Sequence, residues 1–214
     1  MQNSQSTSDC GQNSRGVCHS ASDTFRNLEE IVQHYIDTRR ERSEKRLERF
    51  AKMDLAEAIR NAALAIDEEG KRDKHQRRIP LDKLKHLRQE LLRKRKDLEA
   101  CKTFAEMMAI SEKIGSTIWK KPGLTIYDAT QRIGGHLQIF PDLVYLHTGT
   151  MKGAKALGFK GSIRSLRADQ LPKAFRKLKP YEIEDCLCIY AKQLERLALR
   201  TWATRRSPPT RNEL

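Results

Sequence analysis

An all-α fold is predicted by three features of the sequence. Apolar residues recur at intervals of three and four along most of the chain. Ser, Asp, Pro and Gly stand at the ends of those stretches, where helices start and stop. No stretch alternates strictly between apolar and polar residues, and no Asn-Gly pair marks a hairpin turn.

Residues 1–21 are mostly Ser, Gln, Asn and Gly, with almost nothing to bury, and predict a disordered arm. Ser22 and Asp23 are suitable caps for a helix on which Phe25, Leu28, Ile31, Val32, Tyr35 and Ile36 share a face. From 38 to 52 the chain is nearly all charge, with Leu47 and Phe50 apolar, so it either extends that helix in solvent or breaks it. Asp54 is a fresh cap, and Leu55, Ile59, Ala62, Ala63 and Ile66 form the next stripe, which Gly70 is expected to stop. After a polar connector, Pro80 suits a first helical turn. Leu81, Leu84, Leu87, Leu91 and Leu98 then line a third helix. Their seam is shorter than the roughly three to four heptads a coiled coil needs, which favours a hairpin with the 55–66 helix. Phe104, Met107, Met108, Ile110 and Ile114 continue the period into a fourth. Phe140-Pro141-Asp142 reads as a further helix start, Lys152–Leu157 as a short helix closed by Gly158, and Pro172 and Pro180 as the starts of two more. The expected organisation is a disordered arm at 1–21, a basic helical hairpin region at 22–100, a helical domain at 101–200 and a tail at 201–214.

The 214 residues carry a net charge of +14, and it is segregated. Residues 71–96 hold 12 basic and 3 acidic groups, residues 120–180 again 12 and 3, and the segments around them are neutral or acidic. A long polyanion is the simplest partner for such blocks, because each neutralised phosphate releases counterions. No apolar run approaches the roughly 20 residues of a bilayer span, and the first 22 residues lack the apolar core of a secretory signal. Five cysteines, at 10, 18, 101, 186 and 188, are an odd and irregular set that builds no disulfide framework. Cys10, Cys18 and His19 lack a fourth zinc ligand. A soluble cytoplasmic protein with no metal, cofactor or membrane partner is expected.

The densest information starts at Ile118, in IWKKPGLTIYDATQRIGGHL. A Pro-Gly turn lets backbone approach a phosphate, and the following helix presents unpaired N–H groups and the positive end of its dipole. Lys120 and Lys121 stand just before the turn, and Thr125 can cap or donate. Pro122-Gly123-Leu124-Thr125, then Ala129 and Ile133-Gly134, resemble the helix-hairpin-helix DNA-binding motif, with Thr125 in place of the second glycine and Lys121 in place of an apolar residue. The resemblance spans about residues 118–137 and implies phosphate contacts that hold a duplex without reading its sequence. The same family includes base-excision DNA glycosylases, in which a catalytic Asp follows the motif. Asp142 stands at that place, although the hairpin-helix lysine of bifunctional members is missing.

The next segment, LHTGTMKGAKALGFKGSIRSLR, interleaves Lys152, Lys155, Lys160 and Arg164 with glycines, an arrangement suited to a second phosphate contact. His147 has no evident partner in the sequence. Glu182, Glu184 and Asp185 open the last strong helical region and read as ordinary acidic residues at a helix start. The stretch 70–192 is also similar to bacterial proteins of uncharacterised function, which implies one unit and no activity.

Together these features predict non-enzymatic, sequence-independent binding of nucleic acid, duplex DNA ahead of RNA. The contacts expected are Lys120, Lys121, Gly123, Thr125, Arg132, Lys152, Lys155, Lys160 and Arg164. The alternatives are a protein–protein adaptor or homodimer using Leu81, Leu84, Leu87 and Leu91, and a glycosylase-like enzyme using Asp142.

Overall fold

The computed structural model describes residues 25–73, 76–120 and 123–206, with side chains as far as residue 200. The fold is all-α. The expected arm at 1–21, the caps Ser22 and Asp23, Cys10, Cys18 and His19, the contact residue Lys121, Pro122, and tail residues 207–214 lie outside the described residues.

Helix α1 (Leu28–Tyr35) starts at Asn27, whose side chain accepts from the Glu30 N–H at 2.9 Å. It runs through a π-helical turn (36–40) into α2 (Glu41–Ala51), so the charged segment extends the helix. The widened turn lets one rod serve two cores. Ile31, Val32 and Tyr35 enter one of them and Phe50 the other.

Asp54 caps α3 (Leu55–Leu64) by accepting from the Glu57 N–H at 2.8 Å. This helix ends earlier than expected. Ala65 takes the left-handed conformation (φ 55°) expected at Gly70, and Gly70 (φ 74°) turns the connector instead. The third predicted helix is interrupted at Lys94, giving α4 (Leu81–Arg93) and α5 (Arg95–Ala100). Leu84, Leu87, Leu91 and Leu98 are fully buried, and α4 packs on α3 as the expected hairpin. The leucine face expected to meet a partner is thus spent on the core, with only Leu81 left 44% exposed. Helix α6 (Phe104–Ile118) opens with a Thr103–Glu106 capping box, and α7 (Gly123–Leu137) follows.

After α7 the chain departs from expectation. Phe140-Pro141-Asp142 starts no helix but leads into a short strand, β1 (Val144–Tyr145). This strand pairs antiparallel with β2 (Ser165–Leu166), Val144 opposite Leu166 and Tyr145 opposite Ser165. Between them lies α8 (Thr148–Ala156). Pro172 precedes a 3₁₀ turn (173–177), and Pro180 is the first residue of α9 (Pro180–Ile189), which is followed by α10 (Ala191–Arg206). Helix α8 lies directly on α9, because Gly153 has no side chain. A Cβ there would meet the Leu187 carbonyl oxygen at 2.3 Å.

Two apolar cores result. The first joins Phe50 to α3, α4, α5, α6 and α7. The second joins α1, β1, α8, the 173–177 turn, α9 and α10. The boundary expected between residues 100 and 101 falls inside the first core, where Leu98, Cys101 and Phe104 pack together.

Candidate functional site

Where α2, α7 and α9 meet, the interior is charged. Helix α7 brings Tyr127, Asp128, Gln131 and Arg132, which fall on one side because they are spaced by one, three and four residues. Helix α2 brings Ser43 and Arg46, and α9 brings Glu184 and Asp185. The connector before α4 adds Asp73 and Gln76. Asp185 accepts from the Ser43 hydroxyl at 3.1 Å and from Tyr35 at 3.2 Å, and Arg46 lies 3.9 Å from the same oxygen. Gln76 donates to Asp128 at 2.7 Å. Arg132, 2% exposed, is paired with Asp73.

His147 joins this cluster from the corner before α8. It is the N-cap of that helix, its Nδ1 accepting the Gly149 N–H at 3.2 Å. That bond leaves the ring proton on Nε2, which donates to the carboxylate of Glu184. Glu184 is 3% exposed. Burial, then the charges of Asp185 and Asp128, push its pKa well above the usual carboxylate value, against the opposing pull of Arg46. Burial also raises Asp185, although Arg46 and the Ser43 hydrogen bond oppose it. For Arg46, burial works against the charge, but Asp185, Asp128 and Asp73 outweigh it and hold the guanidinium above its ordinary pKa. The Tyr127 hydroxyl and the Gln131 amide nitrogen are buried with no hydrogen-bond partner among the described residues. Tyr127 is driven well above the usual phenol pKa by burial, then by the charges of Glu184, Asp185 and Asp128.

Tyr127 and His147 also form the inner wall of a cleft of about 280 Å³ that opens at the start of α7. Gly123, Tyr145 and Arg164 complete its mouth, with Met108 on one side. Gly123 has a positive φ of 39°, which favours glycine, and open space where a Cβ would stand. Arg164 reaches the cleft because its carbonyl accepts the Leu146 N–H at 2.8 Å, beside β1.

The structure therefore brings Gly123 and Arg164 together. Lys120 is exposed at the end of α6, three residues before Gly123, and Thr125 is half-buried in the first turn of α7. Lys152 and Lys155 are exposed on α8, and Lys160 is exposed in the loop before β2. None of Lys120, Lys152, Lys155, Lys160 and Arg164 takes part in an ion pair among the described residues. Arg132 departs from the expected set. It is buried and paired, so no surface phosphate can reach it. Asp142 is exposed on the bend before β1.

The sequence reading passed over Arg46 and Tyr127 and took Glu184 and Asp185 for ordinary acids at a helix start. One signal was available, since Glu184 and Asp185 lie between Ile183 and Leu187, both of which enter the core. Comparison with protein-family models, with curated proteins and with solved structures found no match.

Proposed function

We propose that this chain binds nucleic acid, duplex DNA first, by its backbone phosphates and without reading sequence or carrying out chemistry. The observation that carries this reading is the meeting of the α7 opening with Arg164 in one cleft, with unpaired Lys120 close by in the chain. First-turn N–H groups and a guanidinium are the groups a phosphate takes. The two basic blocks supply the long-range attraction that steers a polyanion to this surface.

Charge reversal tests the reading. Lys120→Glu combined with Arg164→Glu is expected to weaken duplex binding and to flatten its salt dependence. The log–log slope should fall by about 0.9 for each phosphate no longer neutralised. Both side chains are exposed, so stability is expected to stay within about 0.5 kcal/mol of the parent. An unchanged slope removes both residues from the interface.

A further inference from the structure

We propose that the cleft at the opening of α7 takes a single nucleotide unit, its phosphate outside at Gly123 and Arg164 and its base inside against Tyr127 and Tyr145. This rests on the nucleic-acid reading above and specifies which part of the polymer is gripped. A volume of about 280 Å³ is at the small end of ligand pockets, which run from about 300 to 1,000 Å³, and suits one nucleoside rather than an oligomer. The walls suit a base. The half-buried Tyr145 ring lies 5.7 Å from that of Tyr127 at 35°, and Met108 is opposite in the lining. Aromatic faces hold bases by stacking.

The floor sets the orientation. The hydroxyl of Tyr127, a lining residue that is 2% exposed, has no hydrogen-bond partner among the described residues. Buried donors left unpaired are costly, and such groups are satisfied by a ligand or water. A nucleobase offers ring nitrogens and carbonyls to this donor. At the mouth Arg164 is exposed and in no ion pair among the described residues, and Glu112 on α6 is also in the lining.

The shared chemistry, a base with a 5′-phosphate, comes from a free mononucleotide or from an unpaired nucleotide at a strand end. The test is calorimetric titration of the full chain with AMP, GMP, CMP and dTMP. Alongside it, anisotropy is measured on a blunt duplex and on the same duplex with a single-stranded overhang. At least one nucleotide is expected to bind saturably at micromolar to millimolar concentration. Tyr127→Phe, which deletes only the hydroxyl, is expected to weaken it about tenfold at unchanged melting temperature. Arg164→Ala is expected to abolish the preference for the nucleotide over its nucleoside. Tighter binding of the overhang assigns the strand end as the source, and equal binding of both duplexes alongside nucleotide binding assigns the free nucleotide. If no nucleotide binds at millimolar concentration, or Tyr127→Phe and Arg164→Ala both bind as the parent does, the pocket is refuted. The phosphate-binding reading survives that result if the duplex still binds in a salt-dependent way, and falls with it if the duplex does not bind.

Discussion

Arg132 and Arg164 belong to the same basic block of sequence, but the fold treats them in opposite ways. Arg132 points into the junction of the two cores, where Asp73 pairs with it and the Ala62 carbonyl lies 3.5 Å away. Arg164 stands exposed at the mouth of the α7 cleft with no ion pair among the described residues. The same contrast separates Glu184, buried beside His147, from Asp142, left in solvent. Buried charges cost several kcal/mol each unless they are paired, so the interior set is committed to mutual satisfaction. Surface cations cost little and remain available to a partner. A net charge of +14 is therefore a poor guide to which cations stay available to a partner.

The contrast is broken most forcibly from the inside. Arg132→Ala leaves Asp73 without its cation in a partly closed site, and is expected to cost about 3 kcal/mol in urea unfolding. A loss below about 1 kcal/mol would mean that the pair is solvated and the buried class does not exist.

A second, smaller effect follows from Glu184, through pH. Its folded pKa is raised above the unfolded value of 4.5. The folded state thus holds the proton more tightly. The stability this contributes is complete below the unfolded pKa and is lost as pH rises through the folded one. Glu184→Gln keeps an acceptor for His147 and cannot ionise, so the parent should lose stability relative to the variant as pH rises above the unfolded pKa of 4.5. A difference that stays constant through that rise would show an ordinary, solvated carboxylate. The smallest stability effect is expected at Lys120 and Arg164, where charge reversal changes binding and leaves folding intact.

Much of the fold was legible because it depends on local chemistry. Asp54 as a cap, Pro180 as a first helical residue, and the pairing of the Leu84–Leu91 face with the 55–66 stripe need only short-range rules. The break at Lys94, the π-helical turn at 36–40 and the left-handed Ala65 were not legible. Each answers to packing between distant segments rather than to the residues at the spot. The strand at Val144–Tyr145 is two residues long, too short to show alternation.

The site divided in the same way. Lys120, Gly123 and Arg164 were legible because exposed cations and a Pro-Gly turn announce themselves. Ser43 and Arg46 lie in a segment that reads as solvated charge, and only the docking of α7 and α9 on α2 turns that face inward. Glu184 and Asp185 have the ordinary signature of acids near a helix start. The burial of Glu184 is a property of the assembled molecule.

The most direct measurement of phosphate-led binding is fluorescence anisotropy of the full chain against labelled duplex DNA, single-stranded DNA and duplex RNA over a salt series. Micromolar or tighter duplex binding is expected, with log affinity falling linearly and steeply against log salt and with little dependence on sequence. Absence of binding to all three at low salt, or duplex binding indifferent to salt, would contradict it.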